Sequence, residues 1–139
     1  DLCLFNTFRS YIKISSFFPK YHKENYDHRG SFSELTRAFS MGQTSFSISK
    51  KGVVRGNHFH TRKIERFSVI KGKAKIQLRE ILSDNICEFI IDGDKPSYVD
   101  IPVWHTHNIQ NIGDEDLITV FWTNEHYNED TSDTYLENV

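Results

Sequence analysis

The stretch GVVRGNHFHTRKIERFSVIKG, residues 52–72, decides most of what this sequence predicts. It places His58 and His60 two positions apart, and Glu65 follows five positions after His60. Side chains two positions apart on a β-strand point to the same face, so both imidazoles can aim at one point. A later segment supplies one more histidine, His107. Because three imidazoles and a carboxylate are a typical transition-metal ligand set, the sequence predicts a metal site.

Composition sets the class of protein. A chain of 139 residues that is 37% hydrophobic and 14% aromatic predicts one domain with a real core. The formal net charge of −2 offers no basic surface for nucleic acid. No apolar run approaches the roughly 18 residues of a membrane-spanning helix, and Arg9 and Lys13 argue against a signal peptide. Cys3 and Cys87 form no disulfide framework, so we expect a cytoplasmic protein in which both are small buried hydrophobes.

The first twenty residues differ in pattern from the rest of the chain. Their apolar residues recur at helical spacing, and Pro19 ends the pattern: Leu4, Phe5, Phe8, Tyr11 and Ile12. We therefore expect a linker helix over residues 1–20 and a single domain over residues 21–139.

From residue 31 onward the pattern is mostly that of short strands separated by turns, which favours a closed sandwich or barrel. The segment 73–80 alternates between apolar and polar side chains, and Gly72 before it is expected to turn a hairpin. The apolar segment 86–92 is expected to be a buried strand. Residues 124–139 are acidic and irregular, which predicts a tail packed on the surface.

The spacing of the metal-ligand residues resembles that of the cupin family. The family's first motif, G(X)5HXH(X)3–4E(X)6G, is matched at every position by Gly52, His58, His60, Glu65 and Gly72. The resemblance implies an all-β fold, a small antiparallel cupin jelly-roll barrel with the metal inside. The N-terminal helix predicted from the spacing of apolar residues precedes this barrel.

The second cupin motif, G(X)5PXG(X)2H(X)3N, is matched in part. Pro102, His107 and Asn111 fit, but Trp104 stands where the family usually has glycine, and eight residues separate Gly93 from the proline. Zinc, iron, manganese and nickel all accept such ligands. A divalent metal is therefore expected, with zinc first among the candidates.

Further residues are candidates for the pocket. Arginine and lysine bind phosphate or sugar oxygens, so substrate binding is predicted for Arg29, Arg55 and Asn57, and stacking on a sugar for Trp104. Lys63 and His105 are the candidate catalytic acid–base residues, with an unliganded motif histidine as a third possibility. Solvated strand-end charges, a surface histidine and a core aromatic side chain are the structural alternatives for these residues.

A closer resemblance covers most of the chain. The segments 29–32, 52–79, 99–113, 116–127 and 133–139 resemble the C-terminal cupin domain of the bifunctional UDP-sugar 3-epimerase/4-ketoreductases of capsular polysaccharide synthesis, the CapF-like enzymes. In that family a reductase domain uses NADPH, and the cupin domain binds zinc, dimerises and inverts C3 of a keto sugar. The resemblance implies the epimerase half alone, acting on a UDP-linked keto-deoxysugar towards UDP-N-acetyl-L-fucosamine, with NADPH needed only if a reductase domain is attached. The apolar segment 86–91 also favours a homodimer.

Other functions stay open at this level. A metal-free ketoisomerase or epimerase of deoxysugar nucleotides also carries an RGxHxH-like segment, as residues 55–60 do, but it has no use for Glu65 and His107. A non-catalytic sugar-binding or dimerisation module and an iron-dependent dioxygenase are further alternatives. No GxGxxG, P-loop or GxSxG pattern occurs in these residues.

Overall fold

The computed structural model of the chain describes residues 24–38 and 42–139. Within them the chain forms strands and one short 3₁₀ helix, η1, at Glu129–Thr131. The strands are β1 (Glu24–Asp27), β2 (Gly30–Ala38), β3 (Gly42–Ser49), β4 (Val54–Phe59), β5 (Glu65–Lys71), β6 (Lys73–Glu80), β7 (Ile86–Asp92), β8 (Ser97–Ile101), β9 (His105–Asn111), β10 (Leu117–Thr123) and β11 (Tyr135–Leu136). The linker helix expected over residues 1–20 lies outside the described residues. In the described part, no helix has the length and apolar character needed to cross a membrane.

The strands form two antiparallel sheets, as the all-β expectation requires. The first has the order β1-β2-β3-β10-β5-β8, and the second has the order β11-β4-β9-β6-β7. Consecutive strands often lie in different sheets, so the chain crosses repeatedly from one sheet to the other. The result is a two-sheet fold of the cupin type.

The core lies between the two sheets. One sheet contributes Phe67, Val69 and Leu117, and the other contributes Ala74, Ile76, Leu78 and Ile109, all of them buried. The alternation in β6 places its three apolar residues inside and its charged residues outside, as a strand period of two requires. Thus the alternation expected for residues 73–80 is confirmed.

Gly72 does not turn a hairpin, contrary to the expectation. β5 pairs with β10 and β8, whereas β6 pairs with β7 and β9, so Gly72 carries the chain from one sheet to the other. Its φ of 80° is left-handed, and a Cβ there would lie 2.9 Å from the carbonyl oxygen of Asp116. The glycine is needed for a crossing between sheets.

The strand β7 exists but is not buried. Of its seven residues only Ile91 is buried, because β7 is the last strand of its sheet and pairs only with β6. Cys87 lies on this strand and is exposed, so the expectation of a buried cysteine is wrong there. β7 is thus an apolar strand that lies at the edge of its sheet and is not a central, buried strand.

The C-terminal residues are more ordered than the expected irregular tail. They contain η1, and β11 pairs with β4 through Tyr135 opposite Phe59 and Leu136 opposite His58. This pairing brings the C-terminal residues beside the strand that carries His58 and leads into His60.

Candidate metal centre and cavity

A bulge in β4 aims two functional side chains at one cavity. Arg55 and His58 both line it, although residues three apart on a regular strand point to opposite faces. The register of β4 against β9 shifts between Gly56 and His58, and this β-bulge absorbs the extra residue. Gly56 has a φ of 101°, and a Cβ there would lie 2.6 Å from the carbonyl oxygen of His107. Glycine therefore permits both the bulge and the close approach of β9.

The four predicted ligand residues converge. His58 and His60 come from β4 and the residue after it, Glu65 opens β5, and His107 lies in the middle of β9. One ligand atom from each residue can be chosen so that all four lie within 4.8 Å of one another. The ring centroids of His58 and His107 are 4.7 Å apart, and those of His58 and His60 are 4.9 Å apart. The convergence expected from the motif spacing is present.

The unsatisfied atoms of this cluster fit a metal. Nε2 of His107 lies 3.0 Å and Nε2 of His60 lies 3.4 Å from Oε2 of Glu65. All three atoms are buried, and none of them has a hydrogen-bond partner. Buried polar atoms without partners are costly, and a divalent cation placed among them satisfies all three at once.

Backbone carbonyls fix the tautomers of two rings. Nδ1 of His60 lies 2.5 Å from the carbonyl oxygen of Asp133, and Nδ1 of His107 lies 3.1 Å from that of His105. A carbonyl only accepts, so each Nδ1 carries the hydrogen and donates it. In the neutral ring the Nε2 lone pair is then free, which is the form that ligates a metal.

The contacts within the cluster favour the ionised form of Glu65. Burial alone would raise the pKa of Glu65, but the contacts with His107 and His60 outweigh it and hold that pKa well below its usual range. Burial, helped by His107, lowers the pKa of His58 to about 4. Burial is the largest single effect on His60 and opposes its protonation, but the contacts with Glu65 and with the Asp133 carbonyl together outweigh burial and raise the pKa of His60.

A cavity of about 730 Å³ adjoins the cluster, and His58, His60 and Glu65 form part of its lining. That volume lies within the range of small-molecule sites. Its remaining walls mix aromatic, polar and charged side chains, among them Phe32, Gln43, Ser45, Phe67, Phe121, Glu125 and Tyr127. The arrangement is that of a pocket with a metal-ligand set on one side.

Three of the predicted pocket residues are cations at this cavity: Arg29, Arg55 and Lys63. The guanidinium of Arg29 donates to Asp27 through Nε at 2.9 Å, and the Nε of Arg55 donates to Ser49 at 2.9 Å. Burial lowers the pKa of Arg55, and the nearby charge of Arg29 adds to this effect. Two guanidinium groups close enough to repel each other are suited to an anionic ligand.

Lys63 is buried and holds its position through the C-terminal residues. Its Nζ donates to the carbonyl oxygen of Ser132 and lies 5.6 Å from the ring centre of Tyr127. The lysine therefore keeps its amino group beside the cavity, without an acidic partner among the contacts that the structure shows for it.

The other three predicted residues do not line the cavity. Asn57 has a φ of 60° in the bulge and accepts a hydrogen bond from Asn108 at 3.0 Å. Trp104 stacks on Phe59 with ring centroids 5.9 Å apart. His105 donates from Nδ1 to the carbonyl oxygen of Val103 at 2.9 Å. These contacts give all three a supporting position around the site.

Trp104 explains the departure from the second motif. Its φ is 61°, in the left-handed region that glycine, the family's usual residue at this position, adopts without steric strain. Its backbone N–H donates to the carbonyl oxygen of His60 at 2.8 Å. The backbone shape of the motif is thus retained with a different side chain.

Sequence reasoning missed the part that the C-terminal residues take in the site. Glu125, Tyr127 and Thr134 line the cavity, and Asp133 bonds to the backbone just after His60. Burial would raise the pKa of Asp133, but hydrogen bonds from Thr61, Arg62 and Lys63 hold it well below its usual range. No spacing rule links residues that lie so far apart in sequence, so nothing in the pattern pointed to these contacts.

Comparisons with known proteins agree with this geometry. The family model "Polysaccharide biosynthesis C-terminal domain" matches residues 25–135. The chain is 37% identical over 137 residues to a Pseudomonas aeruginosa UDP-2-acetamido-2,6-beta-L-arabino-hexul-4-ose reductase, covering 98% of this chain and 36% of that protein. It is 27% identical over 117 residues to the Bacillus subtilis spore coat polysaccharide biosynthesis protein SpsL, covering 77% of this chain and 78% of that protein.

A solved structure has the same fold. The capsular polysaccharide assembling protein CapF of Staphylococcus aureus superposes with a TM-score of 0.92 and 43% identity over 98% of this chain and 37% of that chain. The chain therefore spans little more than a third of the length of CapF and of the Pseudomonas reductase, and it matches both over nearly its whole length.

Proposed function

The chain belongs to the polysaccharide biosynthesis C-terminal domain family, and from that membership we propose that it is the CapF-like cupin half of a sugar-nucleotide epimerase. The proposed reaction inverts C3 of a UDP-linked 4-keto-6-deoxy-N-acetylhexosamine, towards UDP-N-acetyl-L-fucosamine, in capsule or O-antigen biosynthesis. One observation carries the proposal: three imidazoles and a carboxylate converge beside a cavity that also presents Arg29, Arg55 and Lys63.

The chemistry needs few groups. A ketone at C4 makes the proton on C3 acidic, because the electrons of the broken C3–H bond spread onto the C4 oxygen as an enolate. A base takes this proton, the C4 oxygen carries the negative charge, and a proton returned to the other face of C3 restores the ketone with inverted configuration. No electrons are gained or lost overall, so the step needs no redox cofactor.

His58, His60, Glu65 and His107 are the residues that would hold the metal. We propose zinc, since imidazole and carboxylate ligands suit it. A divalent cation held there supplies Lewis-acid stabilisation for negative charge on a substrate oxygen.

Lys63 is the predicted acid–base residue that lines the cavity, and we assign proton transfer at C3 to its amino group. Its bond to the carbonyl oxygen of Ser132 fixes the position of Nζ and leaves further hydrogen-bonding capacity towards a ligand. Arg29 and Arg55 are assigned to the diphosphate of the nucleotide, because each guanidinium group can donate two parallel hydrogen bonds to phosphate oxygens.

A nicotinamide cofactor is no part of this proposal. The Pseudomonas relative is named a reductase, and the present chain matches about a third of it. We assign NADPH to a reductase domain, where one is attached, and epimerisation to the cupin part.

We further propose that the chain forms a homodimer. The edge strands β7 and β8 border a groove and expose apolar side chains, including Phe89, Ile90 and Tyr98. Open sheet edges with exposed apolar side chains favour pairing with a second copy. Light scattering at micromolar concentration distinguishes a dimer from a monomer.

The epimerase proposal is tested by isotope exchange. The metal-loaded protein is incubated in heavy water with the UDP-linked keto sugar and no NADPH, and deuterium at C3 is followed by NMR. We expect exchange at C3 with the wild type and strongly reduced exchange with His107→Ala. Exchange only after addition of a separate reductase, or no exchange at all, would show a binding or dimerisation module instead.

The same experiment separates the metal-free alternative. A metal-free isomerase would exchange the proton equally well after treatment with a chelator. The unpartnered atoms of Glu65, His60 and His107 favour the metal-dependent reaction, because a metal-free site leaves them unsatisfied.

A further inference from the structure

A short C-terminal segment is tied to the loop that joins the ligands His60 and Glu65. We call residues 132–137 the C-terminal strap. The carboxylate of Asp133 accepts four hydrogen bonds from this loop. Oδ1 accepts from the Thr61 N–H at 3.2 Å and the Thr61 hydroxyl at 2.6 Å, and Oδ2 accepts from the N–H groups of Arg62 and Lys63 at 3.0 Å each.

The same aspartate also contacts a ligand ring. Its backbone carbonyl accepts the Nδ1 hydrogen of His60 at 2.5 Å. Asp133 has a φ of 50° and a side chain that is buried, with 6% of its surface exposed. One residue in a fixed, left-handed conformation therefore holds both the loop and the ring next to it.

The strap is fastened on its other side as well. The side chain of Arg79 donates to Oε1 of Glu137 at 2.8 Å, and the Thr106 hydroxyl donates to the Glu137 carbonyl oxygen. The backbone N–H of Glu137 donates to the carbonyl oxygen of Asn57, the neighbour of His58. These bonds place Asp133 independently of the loop that it holds.

We propose that Asp133 is a positioning residue for the metal centre. It sets the orientation of the His60 ring, so that Nε2 faces Glu65. It also fixes the conformation of the loop between His60 and Glu65. The inference rests on the metal site of the proposed function and adds a residue far from the ligands in sequence. Mutation of a residue that holds a metal ligand in position typically lowers metal affinity about 10- to 100-fold.

The test uses cobalt as a coloured probe of the same ligand set. The affinity for Co²⁺ is measured by competition with a chelator, and the visible spectrum is recorded at saturating Co²⁺. We expect Asp133→Ala to weaken Co²⁺ binding at least about tenfold and to alter the visible bands, with Asp133→Asn between it and the wild type. The matched control, Asp130→Asn, changes an exposed carboxylate of the same region and is expected to leave both readouts unchanged.

A second variant covers the case in which Asp133→Ala does not fold. Thr61→Val removes only the hydroxyl donor of the 2.6 Å bond, and we expect a severalfold loss of Co²⁺ affinity with normal circular dichroism. Wild-type affinity and spectrum in the folded variants would overturn the positioning role while leaving the metal site intact. A wild-type protein that binds neither Co²⁺ nor Zn²⁺ would overturn the metal site itself, and this inference with it.

Discussion

His58 and His107 stand directly opposite each other on β4 and β9, in register, with their ring centroids 4.7 Å apart. Opposed side chains on paired antiparallel strands are the closest neighbours that a sheet provides. The pairing of these two strands thus brings together two of the proposed metal ligands, which are far apart in sequence. Disturbing the β4–β9 pairing is expected to disturb the metal centre.

Loss of the single carboxylate should release the metal. Glu65→Gln keeps the shape of the side chain and removes the only negative charge among the four ligands. We expect metal affinity to fall at least about tenfold, because mutation of a residue that only hydrogen-bonds to a metal ligand already lowers affinity by about that factor. Elemental analysis after gel filtration measures the retained metal, with the exposed Glu88→Gln as control. Equal metal content in Glu65→Gln and wild type would contradict the ligand assignment.

Alanine at Gly56 should destabilise the fold more than alanine at Gly52. Both glycines have left-handed φ angles, 101° and 78°, but only at Gly56 does an added Cβ meet backbone, the His107 carbonyl oxygen at 2.6 Å. We expect Gly52→Ala to lower the free energy of unfolding by about 1 kcal/mol. Gly56→Ala should cost about 1–3 kcal/mol more, because β9 must shift. Urea unfolding compares the two, and equal losses would mean that the β4–β9 contact tolerates displacement.

The carboxyl group of Asp27, at the turn before β2, should titrate at an unusually low pH. Hydrogen bonds from Arg29 lower the pKa of Asp27 to about 2 from its usual 3.8. Because the folded pKa lies below the unfolded one, the pair stabilises the fold fully above pH 3.8, and this contribution disappears as the pH falls towards about 2. NMR titration of the Asp27 carboxyl carbon should give the low midpoint in the wild type and a higher midpoint, closer to 3.8, in Arg29→Gln, which keeps only the backbone N–H donor at this position. The same midpoint in both proteins would show that the ion pair does not form in solution.

Removal of the Arg55 charge should weaken binding of UDP. Arg55 lines the cavity near Arg29, and a hydrogen bond from a charged group to phosphate contributes about 1.5–3 kcal/mol. We therefore expect Arg55→Gln to raise the Kd for UDP roughly ten- to a hundredfold in calorimetry. Arg66→Gln is the control, because Arg66 pairs with Asp100 and does not line this cavity. A Kd unaffected by Arg55→Gln would place the diphosphate elsewhere.

The ligand cluster was predictable because most of it is local in sequence. His58, His60 and Glu65 belong to one strand–turn–strand unit, and strand periodicity sets where their side chains point. The cavity position of Arg55 was harder, since it depends on the bulge at Gly56, and a register shift leaves no mark in the alternation of residues.

The errors concern positions that depend on the neighbours of a strand. The composition of β7 is that of a buried strand, but its place at the sheet edge leaves Phe89 and Ile90 exposed. Gly72 has the residue type of a hairpin turn, but its two strands pair with different partners. Propensity describes the local chain, whereas pairing is decided by the whole fold.

The distance along the chain between Asp133 and its partners also has a consequence for the order of folding. Asp133 bonds to residues 70 to 72 positions earlier, so these contacts form only after residue 133 has been synthesised. All four ligand residues leave the ribosome before it. A nascent chain halted ahead of residue 133 possesses every ligand but lacks the contacts that orient His60. Tight binding of the proposed metal is accordingly expected to follow synthesis of the C-terminal strap, because contacts of high sequence separation form last.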